Sequence, residues 1–392
     1  MNSARRRICA VTGSRADYGL LRPLLRLIAA DPGCELRVIA TGMHLAPQFG
    51  HTVAAIHADG FSPVEVECLL TSETRLSAAK STGLATMGLA QVFADISPDL
   101  VVVLGDRFEI LAAAQAAMLL GLPLAHIHGG EVTEGAMDES IRHAITKMAH
   151  LHFVAAAEYG RRVIQMGEDP RRVFQVGAPG LDNLAEAAKT DRSALESRLG
   201  LTLTDPVIVV TYHPVTLRQG DEITAVNEML AALEDFPEAQ VVVTGVNADP
   251  GHDAIARRLS EWVAAHAGRA SLHASLGSAY LPLLGIAAVM VGNSSSGLIE
   301  APAIHLPTVN IGDRQKGRLR AASVIDCAES RDTITAAIAK ALSPEFRQSF
   351  VGMPPPYGFG GGVADRILAV LRDFDLGLLR CKPFHDLAGG TS

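Results

Sequence analysis

The sequence predicts an α/β protein built from two doubly wound domains that face each other across a cleft. Three observations carry this reading. Short runs that are apolar throughout alternate with helical patterns, as expected for parallel strands covered on both faces. The pattern then starts again partway along, where PVIVVT (206–211) echoes ICAVT (8–12) and each run leads into a polar turn and a helix. Finally, 392 residues suffice for two or three domains of roughly 150 residues each.

In order, 8–12 is a buried strand, followed by Gly13-Ser14 and a helix over 17–30. Strands follow at 36–41 and 100–104, the second ending at Gly105-Asp106-Arg107. An alanine-rich helix at 110–120 leads to a strand at 124–127, and 153–155 and 173–176 complete the first half. A charged helical segment, 184–204, links the halves. The second half has strands at 206–211, 240–244, 288–291 and 308–311. PPPYGFGGG (354–362) has the composition of a flexible joint. The amphipathic helix after it, with Val363, Ile367, Leu368, Val370 and Leu371 on its apolar side, is expected to pack back on the first domain. The expected boundaries are 1–183 for the first Rossmann-like domain, 184–362 for the second, and 363–392 for the terminal helix and tail.

Composition narrows the function. Hydrophobic residues are 48% and charged residues 19%, ordinary for a soluble globular protein. A formal charge of −8 argues against a nucleic-acid partner. Cys9, Cys34, Cys68, Cys327 and Cys381 are an odd, dispersed set without a CxxC pair, which points to reduced thiols and the cytoplasm. The basic start MNSARRR is followed by too short an apolar run for a signal peptide, and no stretch reads as a membrane span.

In open α/β sheets the ligand sits beyond the carboxyl ends of the strands. The segments there are GSRADYG, GDRFE, HIHGGE, YHPVT, GVNAD, GNSSSG and NIGDRQ, all polar or glycine-rich. Gly292-Asn293-Ser294-Ser295-Ser296-Gly297 leads into a helical pattern, so its small residues and free N–H groups suit an anion. An ordinary serine-rich N-cap would read the same way. Glu300 is either a solvated carboxylate or an acceptor for two ribose hydroxyls, and Arg15, Arg107 and Arg314 could neutralise a diphosphate, although lone arginines often end in surface ion pairs.

The stretch 126–153 holds His126, His128, His143, His150 and His152. Metal ligands must converge at about 2 Å. His126 and His128 alternate on a strand and share a face, His143 and His150 lie two helical turns apart, and no HExxH spacing occurs. This argues for a metal-free site. Asp138 and Arg142, one helical turn apart, form either an anchored carboxylate or a routine helix ion pair. Asp106, Glu131 and His213 are further strand-end groups able to move protons.

Together, TGSRADYGLLRPLL (12–25), GDRFE (105–109), GGE (129–131), DESIRHAITKMAH (138–150), YHPVT (212–216), GNSSSG (292–297) and NIGDRQKGR (310–318) resemble the hydrolysing UDP-N-acetylglucosamine 2-epimerases, over nearly the whole chain. The resemblance implies a GT-B-like fold of two Rossmann-like domains, no cofactor, a UDP-sugar as small-molecule partner, and a homodimer or homotetramer. It implies UDP contacts from Arg15, Ala16, Arg107, Asn247, Ser294, Ser295, Glu300 and Arg314, and places Asp106, Glu131, Asp138, Arg142 and His213 around the sugar and leaving group. His128 stands where non-hydrolysing relatives carry a glutamate, so the acid/base role falls to His128, to Glu131 or to neither. UDP-N-acetylglucosamine and a 4-acetamido-6-deoxy analogue both remain open as substrates. A non-hydrolysing epimerase, a glycosyltransferase and a sugar-nucleotide sensor are the competing functions.

Overall fold

As a computed structural model, the structure describes residues 5–70, 74–133, 137–184, 191–214, 222–246, 252–274, 276–379 and 381–387. Strands are β1 (Arg6–Thr12), β2 (Cys34–Thr41), β3 (Val64–Val66), β4 (Leu100–Leu104), β5 (Leu124–Ile127), β6 (Leu151–Val154) and β7 (Val173–Gln175), then β8 (Val207–Thr211), β9 (Gln240–Thr244), β10 (Ala270–His273), β11 (Val289–Gly292), β12 (Thr308–Ile311) and β13 (Val324–Cys327). The helices of eight or more residues are α1 (Arg15–Ala30), α2 (Arg75–Ile96), α3 (Phe108–Leu119), α4 (Met137–Met148), α5 (Ala157–Gln165), α6 (Arg192–Leu199), α7 (Glu222–Leu233), α8 (His252–Ala265), α9 (Arg331–Leu342) and α10 (Val363–Asp373).

The first sheet runs β3-β2-β1-β4-β5-β6-β7 and the second β10-β9-β8-β11-β12-β13, and every pair is parallel. Each is a doubly wound, Rossmann-like sheet that reverses direction once, at β1/β4 and at β8/β11. Alternate residues of one strand enter different cores. In β1, Ile8 and Ala10 join one cluster while Cys9 and Val11 join the other. In β8, Ile208 and Val210 face one way and Val207 and Val209 the other. This is why the strands read as unbroken apolar runs.

Contacts divide the chain into two units. One holds Met1–Glu131, Met137–Pro179 and Gly362–Ser392; the other holds Val132–Ala136 and Gly180–Gly361. Helix α10 buries Val363, Ile367 and Leu371 in the cluster that contains Leu21, Leu25 and Ile28 of α1. Such side chains contribute about 1.5–3 kcal/mol each when fully buried. Within the expected charged linker the structure describes α6, whose Leu195 packs with Val207 and Val209 of the second unit. The glycine-rich joint is firmer than its composition suggests, because Tyr357 within it is buried. Among the described residues no helix is long and apolar enough to cross a membrane. All five cysteines are free thiols.

Candidate active site

A reversal point leaves the loops after two neighbouring strands diverging, which opens room for a ligand beyond the strand ends. In the first unit these loops are Gly13-Ser14 after β1 and Gly105-Asp106-Arg107 after β4; in the second they are Tyr212-His213 after β8 and Asn293-Ser294 after β11. The residues expected to carry chemistry therefore cluster at the reversals or one strand away.

The first unit is organised by Arg142, which is only 1% exposed. Its Nε donates to Asp106 Oδ2 at 2.8 Å, and Nη2 pairs with the same oxygen. Nη1 donates to the Glu131 carbonyl at 2.9 Å and to Glu139 Oε2 at 2.8 Å. Burial alone would lower the Arg142 pKa, but the carboxylates of Asp106, Glu131 and Glu139 raise it, so the guanidinium stays charged. His128 Nδ1 lies 2.6 Å from Glu131 Oε1. Asp106, Glu131, Arg142 and His128 are thus gathered by contact, and Glu139 joins them. Asp138 is half-buried on the first turn of α4, and its charge helps keep Arg107 protonated. Arg15 and Ala16 are exposed at the start of α1, and no described residue is shown holding the Arg15 guanidinium.

The histidine stretch resolves into separate partnerships. His126 bridges the Gly105 carbonyl at 2.9 Å and Thr146 Oγ1 at 3.2 Å, and burial pushes it down to about 3, a neutral ring. His143 meets Glu139, His150 accepts from the Leu124 amide, and His152 meets Glu168. One expectation is corrected. His126 and His128 do not alternate along a strand, because β5 ends at Ile127 and His128 turns into the left-handed region with φ 68°, bringing its ring to Glu131. Among the described residues no group of three or more His, Cys, Asp or Glu is placed to hold a metal ion.

In the second unit Asn293 is the organiser. Its Oδ1 accepts from the His213 amide at 2.7 Å and its Nδ2 donates to the His213 carbonyl at 2.8 Å, tying the ends of β8 and β11 together. Its own carbonyl receives Arg314 Nη1 at 3.1 Å and Gln315 Nε2 at 2.8 Å. Gly292 makes this approach possible. At φ 138°, a Cβ there would lie 1.9 Å from the Thr211 carbonyl oxygen. Burial, with the Arg314 charge behind it, pushes His213 down to about 3, so it is a neutral hydrogen-bonding ring rather than a cation. Ser294 Oγ caps the turn by accepting from the Ser296 amide at 3.3 Å, with Ser295 half-buried beside it. The helix expected after this loop is instead a single turn at Ser295–Gly297 and a short helix at Glu300–Ala303. Gly297 and Pro302 favour such interruption, so this loop presents local N–H groups and hydroxyls without the dipole of a long helix. Glu300 opens the short helix, and Asn247 lies outside the described residues.

The sequence pattern of the UDP-N-acetylglucosamine 2-epimerase family matches residues 26–372. The chain belongs to that family. Over 385 residues it is 38% identical to the GDP/UDP-N,N'-diacetylbacillosamine 2-epimerase (hydrolyzing) of Campylobacter jejuni, covering 98% of this chain and 100% of the relative. It is 37% identical over 350 residues to the UDP-N,N'-diacetylbacillosamine 2-epimerase (hydrolyzing) of Legionella pneumophila, covering 88% and 91%. The crystal structure of UDP-GlcNAc 2-epimerase from Neisseria meningitidis bound to UDP-GlcNAc shares the fold with a TM-score of 0.80 at 16% identity, covering 93% of this chain and 99% of that one.

Within this family member, sequence reasoning overlooked Asn293, Glu109 and Asp17, although all three stand in segments it singled out. Glu109 is fully buried over Gly13, where a Cβ would lie 2.4 Å from Glu109 Cγ, and its Oε1 accepts from Arg107 Nε at 2.7 Å. Arg107 is thereby fixed in orientation. Burial would lower its pKa, but Glu109 and Asp17 raise it. Asp17 follows the Ser14 cap, whose Oγ accepts from its amide at 3.3 Å. Its Oδ2 and Glu109 Oε2 are buried and lack a hydrogen-bond partner among the described residues. A strand-end pattern marks where such groups stand but not which of them turn inward.

Burial lifts the Asp17 carboxyl from 3.8 to about 6, with Arg107 opposing and Glu109 and Asp106 adding to the rise. A folded pKa above the unfolded value means that ionised Asp17 costs stability above pH 6, by about 3 kcal/mol for two units, and that the cost fades as pH falls from 6 towards 4. Asp17→Asn should therefore melt above the parent at pH 8, with the gap closing towards pH 4 in calorimetry. A gap independent of pH would contradict this assignment.

Proposed function

We propose that the protein is a hydrolysing UDP-sugar 2-epimerase that releases UDP and the free 2-epimeric sugar, and that its preferred substrate is a UDP-diacetamido-trideoxy sugar of the diacetylbacillosamine type. The reading is carried by the gathering of Asp106, Glu131, Glu139 and His128 around the buried Arg142. The relatives named as hydrolysing diacetylbacillosamine epimerases, at 37–38% identity, support the substrate over UDP-N-acetylglucosamine. The five free thiols support the cytoplasm as the compartment.

The chemistry follows from the substrate. C2–H is not adjacent to a carbonyl and is only weakly acidic. Cleavage of the C1–O bond sends the electron pair out with UDP and leaves oxocarbenium character at C1, which makes C2–H labile. A carboxylate then takes that proton and a glycal forms. Water adds across the double bond, its hydroxyl to C1, while a proton returns to C2 on the opposite face.

The first unit supplies proton handling in this reading. Asp106 and Asp138 would be the leading carboxylates, and the His128–Glu131 pair, 2.6 Å apart, would relay a proton. Arg142 holds the Asp106 carboxylate in place. The second unit supplies UDP recognition, with Ser294 and Ser295 at the phosphates, Glu300 at the ribose, and Arg314 and Asn247 contributing further contacts. Neutral His213 donates an N–H to the departing phosphate. Arg15, Ala16 and Arg107 add contacts from the first unit, Arg15 as an uncommitted cation. In this reading these groups would meet the charge developing on the leaving diphosphate, the usual source of a large electrostatic contribution to rate.

Product analysis tests the reading. UDP-diacetylbacillosamine should give equimolar UDP and free sugar, with kcat/KM at least about tenfold above that for UDP-N-acetylglucosamine. A product that keeps its UDP would instead assign a non-hydrolysing epimerase. Asp138→Asn should lower kcat by about 100-fold or more if the carboxylate carries a proton. A near-normal rate with this variant would remove Asp138 from the mechanism.

A further inference from the structure

Helix α4 carries Asp138, Glu139 and Arg142 in its first two turns. Its other end is finished by a residue 235 positions away. The last carbonyls of a helix have no donor within it, and a cation placed there also opposes the negative end of the helix dipole. Lys147 stands in the last turn of α4, but its ammonium is spent on Glu168 Oε1 at 2.6 Å and the Met166 carbonyl at 3.0 Å. Lys382 supplies the missing donors. Its Nζ donates to the Lys147 carbonyl at 2.6 Å and to that of Ala149, with the Thr146 carbonyl at 3.4 Å.

Glu168 holds Lys382 there. This carboxylate is 1% exposed and meets Lys382 Nζ at 2.8 Å through Oε2, while His152 Nε2 lies 2.9 Å from the same oxygen. Burial works against its ionisation, yet the hydrogen bonds from His152, Lys147 and Lys382 bring Glu168 down to about 2. The surrounding chain is pinned at further points. Arg172 Nη2 donates to the Leu378 and Cys381 carbonyls at 2.8 and 3.1 Å. The His385 amide donates to the Gly167 carbonyl at 2.9 Å, Phe384 seats on Gly167, and Lys147 Nζ stands 5.0 Å over the Phe384 ring.

We propose that the 381–387 segment is a positioning element for the site helix: Lys382, anchored by Glu168, fixes the last turn of α4 and so sets where Arg142 and Asp138 stand at the other end. The consequence for rate rests on the function proposed above; the mechanical part does not. Arg142 cannot shift without straining its bonds to Asp106 and the Glu131 carbonyl, so a helix loosened at its far end misaligns the carboxylates. Misplacement by about 1 Å can cost a reaction up to about 100-fold.

The test uses the full chain with Lys382→Met, Lys382→Arg and Phe384→Ala. Hydrogen exchange across 143–149 should quicken in Lys382→Met and return towards the parent in Lys382→Arg. In Lys382→Met, kcat should fall about tenfold or more, while UDP binds with unchanged affinity and stoichiometry in calorimetry. Phe384 is exposed, so Phe384→Ala keeps the fold out of question and should give a smaller fall in kcat, of about threefold. Unchanged exchange in Lys382→Met, or in Phe384→Ala if the former does not fold, overturns the proposal. So does an unchanged kcat per UDP-binding site. A parent enzyme that releases no free sugar sinks the function reading instead, and the exchange result then still decides the mechanical claim.

Discussion

The buried guanidinium of Arg142 is the constraint on which the arrangement of the first unit's strand-end loops depends. A charge taken out of water must be paired and hydrogen-bonded, and removing one partner from such a pair costs about 3–5 kcal/mol. Arg142 meets that requirement with groups from three places: Asp106 after β4, the Glu131 backbone after β5, and Glu139 on its own helix. The loops after β4 and β5 are therefore fixed relative to α4 by electrostatics as much as by packing. Asp106 is itself 25% exposed, so the ion pair holds in place a side chain that still reaches its surroundings.

The second unit reaches the same end by neutral means. The Asn293 amide matches one donor and one acceptor of the His213 backbone, so the ends of β8 and β11 are locked without a buried charge. Arg314 rests its Nε and Nη1 on the Pro214 and Asn293 carbonyls, and burial together with its charge keeps His213 neutral. The two units thus fix their strand-end loops by different means, one through a buried ion pair and the other through a neutral amide.

The sequence reveals the doubly wound sheets because each central strand is apolar on both faces, a pattern that survives without any tertiary information. It also points to the strand ends, where β1, β4, β8 and β11 deliver most of the candidate residues. It is silent on α2, whose serines, threonines and glycines leave a weak amphipathic signal, and on β3, β10 and β13 at the sheet edges, which are only partly buried. It misplaces His128, because nothing in HIHGG marks the residue where the strand gives way to a left-handed turn. The buried positions of Glu109 and Asp17, and the reach of Lys382 to α4, arise from contacts between residues far apart in the chain, and no local period encodes them.

In the proposed reaction, carboxylates organised by a buried arginine take the C2 proton from the sugar, and a proton from solvent returns to the other face. Running the reaction in heavy water with the diacetamido substrate and reading the free sugar by nuclear magnetic resonance tests this most directly. One deuterium at C2 in every product molecule is the predicted result. A product with protium at C2 would mean that the C2–H bond is never broken, and the assignment of Asp106 and Asp138 as proton-handling groups would fall with it.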